Sequence, residues 1–280
     1  MGIDADSPAI PRTLSPMEGA VMAWIEAERR QSVTPDDVAA VFGWPRHSIW
    51  YVLRRLAIKG WLRRTSRGRY ETVLAETGGF APANPWAALS TWGQAYYVGF
   101  QSAAYELGLT PDRPGDVQAC VRFGAHRPRA WEDTPIALIH LRSFSLEGVE
   151  RRDLHGWDVA VATPEKVVVD GAAVQSRVGG VSGLARVVSR AAEDLDWTRV
   201  VEISETLARG RAATRRLAAL LELLELPVPS ALAERAEIRG RSRALSLGDP
   251  HHHGLDGPTL ERWGVIANVD LDGLREELRR

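Results

Sequence analysis

Between residues 41 and 70 stand eight basic side chains, Arg46, Arg54, Arg55, Lys59, Arg63, Arg64, Arg67 and Arg69, and no aspartate or glutamate. Eight cations without an anion in thirty residues is the charge pattern of a module that meets a polyanion. Binding duplex DNA asks for cations spaced along the phosphates and for side chains that reach base edges in a groove. Arg46, His47, Ser48 and Tyr51 have hydrogen-bonding groups suited to direct readout of bases. Arg54 and Arg55 suit phosphates, and Arg64, Arg67 and Arg69 suit the backbone or the minor groove. Residues 1–70 carry 11 basic and 7 acidic side chains, which leaves 24 basic and 29 acidic for residues 71–280. The expected polyanion contact therefore lies at one end of the chain.

Other reactive groups do not assemble into a site. Asp158 with Glu165 and Lys166 resembles a metal-dependent nuclease set only superficially. That chemistry wants acid and lysine two apart on one strand face, whereas Glu165 and Lys166 are adjacent where Thr163-Pro164 opens a helix. His251-His252-His253 after Asp249 reads as a polar surface loop, since three consecutive histidines cannot all face one metal unaided. Ser102, His140, His155 and Asp158 are hydrolase residue types without a Gly-x-Ser-x-Gly turn to position the nucleophile. No phosphate-binding glycine loop is present. The single cysteine, Cys120, cannot form an internal disulfide and reads as a small buried apolar residue. No catalytic residue, cofactor or metal is expected, and the chain is not expected to be an enzyme.

The elements that must carry the basic residues are legible. Ser15-Pro16 caps a helix over 17–28, with Val21, Trp24 and Ile25 at helical spacing. Thr34-Pro35-Asp36-Asp37 opens a second, short helix that Gly43 ends. Pro45 opens a third through about Lys59, in which Ile49, Val52, Leu53 and Leu56 share one face while His47, Tyr51, Arg54 and Arg55 share the other. Residues 61–64, a turn at 65–68 and residues 69–73 read as a hairpin. Three helices and a hairpin in this order make a winged helix-turn-helix over residues 12–75, whose third helix would enter the major groove. Trp44, Trp50 and Trp61 are expected in its small core.

The Gly/Pro-rich stretch 77–85 marks a boundary near 75–84. Beyond it, residues 85–280 read as a larger mixed domain, giving an α+β chain. Residues 87–107 are mostly helical in pattern, 117–123, 136–141 and 156–162 look like strands, and the chain is largely helical from Thr163 to about Glu237. The leucine-rich helix over 211–226 is expected in the core. With 45% hydrophobic and 25% charged residues the composition is that of a globular protein. The acidic opening residues and the lack of an 18-residue apolar run predict no signal peptide, no membrane span and a cytoplasmic location.

The chain resembles the AbiEi-type antitoxins, transcriptional regulators of type IV toxin–antitoxin systems. The resemblance runs through Gly68-Arg69-Tyr70, the segment from Tyr96 to Thr110, and the segment from Val161 to Asp170. Members usually have histidine where this chain has Glu106, so no role of that histidine carries over. The resemblance implies a repressor of its own operon, bound to double-stranded promoter DNA at inverted repeats. It also implies an antitoxin that counteracts a nucleotidyltransferase-like toxin, by a route that need not involve direct contact. Two other classes fit a basic N-terminal module: a metal-dependent nuclease delivered by the winged helix, and a regulator whose second domain senses a small ligand.

Overall fold

The computed structural model describes residues 14–28, 30–66, 68–72, 84–128, 131, 134–240 and 243–279. Two compact units divide the chain, Met1–Trp92 with Arg127–Pro135, and Gly93–His126 with Ile136–Arg280. The chain is α+β. Among the described residues no helix is long and apolar enough to cross a membrane.

In the first unit, α1 (Pro16–Ala27) begins at a capping box in which the Ser15 hydroxyl accepts from the Glu18 amide and Glu18 accepts from the Ser15 amide. The same reciprocal pair, Thr34 with Asp37, starts α2 (Pro35–Phe42). Gly43 ends α2 with φ of 62°, a left-handed cap that a residue with Cβ adopts only under strain. A short turn then leads into α3 (Arg46–Ile58). Ile49, Val52, Leu53 and Leu56 are each at most 2% exposed and pack on Val21 and Ile25 of α1, Val38 of α2, and Leu62 and Tyr70. Burying each such side chain is worth roughly 1.5–3 kcal/mol, so this stripe holds α3 in place.

Strands β2 (Leu62–Ser66) and β3 (Arg69–Thr72) form the expected hairpin, with a register irregularity between Arg64 and Ser66. A strand the sequence reading lacks, β1 (Ser32–Val33), pairs antiparallel with β3 and gives the order β1-β3-β2. Helix α4 (Pro85–Ser90) belongs to the same unit, capped by Asn84. In the segment 127–135, the Arg127 guanidinium donates to the carbonyls of Trp131 and Thr134, and the Trp131 ring meets Trp92 edge-on.

The second unit is built on a mixed five-stranded sheet, β4 (Tyr96–Val98), β5 (Val117–Arg122), β6 (Ile136–Leu141), β7 (Val149–Leu154) and β8 (Trp157–Ala162), in the order β6-β5-β4-β8-β7. Tyr96–Val98 corrects the reading of 87–107 as mostly helical: the helix resumes only at α5 (Phe100–Glu106). Helices α6 (Pro164–Ala173), α7 (Gly180–Ala191), α8 (Trp197–Glu205), α9 (Gly210–Leu223) and α10 (Ser230–Ala236) follow. Helix α9 is buried along Leu217, Leu220 and Leu221, the core role its composition predicts. A small sheet of β9 (Leu245–Ser246), β10 (Thr259–Leu260) and β11 (Val265–Ile266), the short α11 (Pro250–His253) and α12 (Leu271–Arg279) complete the unit.

Inside this unit lies a polar cluster. The Tyr97 hydroxyl donates to Asp170 at 2.7 Å, Lys166 donates to the other Asp170 oxygen at 3.3 Å, and the Lys166 ammonium sits 4.8 Å from the Tyr97 ring centroid. All three side chains are buried. Burial pushes the Asp170 carboxyl up, and Lys166 and Tyr97 pull it back.

Candidate nucleic-acid interface

Because α3 buries the 49/52/53/56 stripe, the opposite stripe must face outward. His47, Tyr51 and Arg54 are exposed along it, and with Trp50, Arg64 and Tyr70 they line a groove of about 790 Å³ beside the hairpin. Of the residues expected to bind DNA, His47, Tyr51, Arg54 and Arg64 are thus brought together. Arg46 is exposed at the start of α3, Ser48 and Arg69 are half-buried, and Arg67 lies outside the described residues.

The acid-free stretch in the sequence is not acid-free in space. Asp36 of α2 holds Arg46 at 2.6 Å, with the two side chains 75% and 76% exposed. Buried Glu18 of α1 pairs with Lys59 and stands 3.7 Å from Arg55. Glu71 of β3 holds Arg63 at 3.4 Å. Arg55, read as a phosphate contact, is therefore partly engaged in tying α3 to α1. Among the described residues neither Arg54 nor Arg69 forms an ion pair, unlike Arg46, Arg55 and Arg63. Burial alone would raise the Glu18 pKa, but hydrogen bonds from Lys59 and Ser15 outweigh it and hold the carboxyl below the usual range. For Glu71 burial dominates over Arg63 and raises the pKa.

The tryptophans split. Trp44 stacks on Phe42 at 4.5 Å between centroids, and Trp44 and Trp61 pack against the core as expected. Trp50 does not: it is 39% exposed and lies in the groove, because its position on α3 falls between His47 and Arg54 on the outward side. Ile58 is likewise 50% exposed in the groove. Neither is among the residues expected to bind DNA, although helical spacing, three residues on from His47 and four on from Arg54, puts both on this face.

The other reactive sets stay apart. Asp158 is exposed and forms a two-pronged pair with Arg151, while Lys166 is fully buried on Asp170. Thr163 caps α6 by accepting from the Lys166 amide. Ser102 is buried with its hydroxyl accepting from the Gln118 amide, and His155 pairs with Glu106 at 3.2 Å. The three histidines form the exposed helix α11 instead of a loop, since Asp249 caps it and Pro250 opens it. Among the described residues no group of three metal-ligating side chains converges. Cys120 is fully buried, and burial pushes its thiol pKa well up, which makes it a poor nucleophile.

These features define an α+β protein in which a small unit presents one cationic and aromatic helix face, joined to a larger unit around a mixed sheet. No family model matches the chain, and no curated protein matches it. Among solved structures it is similar to the crystal structure of the RV2827C protein from Mycobacterium tuberculosis. That likeness has a TM-score of 0.66 at 17% sequence identity and covers 98% of this chain and 99% of the other. At this identity it carries the fold alone.

Proposed function

We propose that the chain is a sequence-specific, double-stranded DNA-binding repressor of its own operon, and that it serves as the antitoxin to a nucleotidyltransferase-like toxin. The observation that carries the DNA-binding half is the groove on the outer face of α3, where His47, Tyr51 and Arg54 stand beside Arg64 of the hairpin. The pair α2 and α3, joined by a tight turn at a left-handed glycine, has the order of a helix-turn-helix, and β2–β3 stands where a wing would. In this reading α3 enters the major groove, Arg46, His47, Ser48 and Tyr51 meet base edges, and Arg54, Arg64 and Arg69 meet phosphates. Repression needs no catalysis, in keeping with an Asp158 that is paired and a Lys166 that is buried. The antitoxin half rests on the resemblance carried by residues 96–110 and 161–170, which fall on β4, α5, the end of β8 and most of α6 in the second unit.

The test is a gel-shift titration of the full chain against about 200 base pairs upstream of its own gene, beside random DNA of equal length at two salt concentrations. Specific binders hold their site on the order of 10³-fold or more above random DNA. Tight, selective binding supports the repressor, and co-expression with the neighbouring gene then tests neutralisation. Weak, equal and salt-sensitive binding to both DNAs overturns it.

A further inference from the structure

The outer face of α3 is unexpectedly apolar for a surface that meets a charged polymer. Going along the helix, His47, Trp50 with Tyr51, Arg54 and Ile58 recur at intervals of three, four and seven, one continuous stripe about 16 Å long. Trp50 is 39%, Tyr51 65% and Ile58 50% exposed. The core of the unit is complete without them, being closed by the opposite stripe. The Trp50 ring also reaches the hairpin turn: a Cβ placed on Gly68 would lie 3.5 Å from its tip. The indole thus extends from α3 toward the hairpin, with the more exposed Tyr51 next to it in the chain.

Resting on the DNA-binding reading above, we infer that the Trp50–Tyr51 pair selects a 5-methylpyrimidine in the major groove. The only apolar group that a base pair offers there is the methyl at C5, carried by thymine or by 5-methylcytosine. Arg54 and Arg64, which line the same groove, supply the charge complementarity that draws in a duplex, with phosphates on the cations and the methyl against the aromatic side chains. Tyr51 is the contacting residue.

The experiment begins with selection of a preferred site by the full chain from random duplexes. Each thymine of that site is then replaced in turn by deoxyuridine, which removes only the methyl. The expected result is a loss of about fourfold at one or two positions, the factor that one buried methyl is worth. Tyr51→Ala should bind the thymine and uracil duplexes equally with its salt dependence unchanged, and Tyr51→Phe should keep the discrimination. Circular dichroism of each variant checks that the unit is folded. Cytosine and 5-methylcytosine at the sensitive position distinguish the sources. Restoration by 5-methylcytosine means that the methyl alone is read, and preference for thymine over it means that thymine is the ligand. A selected site at which every uracil replacement is neutral overturns the inference and leaves the repressor reading standing. So does a Tyr51→Ala variant that still discriminates. Tighter binding to the single strands than to the duplex overturns it in favour of base stacking. Failure to select any site overturns the DNA-binding reading itself.

Discussion

Asp36→Asn should strengthen DNA binding. In the free protein Asp36 holds the Arg46 guanidinium at 2.6 Å, and a phosphate or base edge must displace it before Arg46 can serve the duplex. Both side chains are about three-quarters exposed, at 75% and 76%, so the pair is worth at most about 1 kcal/mol. Removing the acid returns that energy to the complex, a gain of up to about fivefold in affinity. It also removes an anion from the approach path, which favours every duplex. Asn cannot replace the first-turn charge that Asp36 contributes to α2, so stability should fall by roughly 0.3–1 kcal/mol. Fluorescence anisotropy titrations of a preferred duplex and a random one, over a salt series from about 50 to 200 mM, read both quantities. If Arg46 gains a phosphate, the log–log salt slope steepens by about 0.9; if it gains a base edge, the ratio between the two duplexes widens. A folded Asp36→Asn variant that binds both duplexes no better than the parent refutes the reasoning.

Glu18 titrates below its ordinary value of 4.5 in the folded chain, so its stabilisation is fully present above about that pH and is lost as pH falls through the lower folded value. Urea midpoints measured from pH 6 to pH 3 should therefore show a steeper acid loss for the parent than for Glu18→Gln, and parallel curves would count against the buried pair. Asp170→Ala strands the Lys166 ammonium in the interior and should cost about 3–5 kcal/mol in denaturant unfolding, whereas a loss below about 1 kcal/mol would mean the cluster is hydrated. Cys120 should resist alkylation in the native protein and react on unfolding, so rapid labelling under native conditions would contradict its burial.

Where a local rule decides the structure, the sequence reading holds. The capping residues Ser15 and Thr34, the left-handed Gly43 and the 49/52/53/56 periodicity are short-range physics, and α1, α2 and α3 follow from them. Strands β1 and β4 escape because two or three residues cannot show an alternation. Strand β7 escapes because Glu150, Arg151, Arg152 and Asp153 place four charges in succession, which hides any alternation. Residue type alone puts Trp50 in the core, as a large aromatic in a small domain, whereas the helical spacing puts it outside. The neutralisation of Arg46 and Lys59 escapes for a different reason: Asp36 and Glu18 stand outside the thirty-residue window and reach it only through tertiary packing. Glu71 lies one residue beyond that window and meets Arg63 as its cross-strand partner in the hairpin, a pairing that the strand reading of 69–73 allows.

Strand β7 has one more consequence. It is the margin of the five-stranded sheet, and residues 150–153 are all exposed, with Arg151 held by Asp158 and Arg152 by Glu150. An open sheet margin is a template on which another chain can add a strand, and a row of charges makes such an addition unfavourable. The side chains that obscure this strand in the sequence thus make its margin a poor template for a further strand, one set of four charges having both effects.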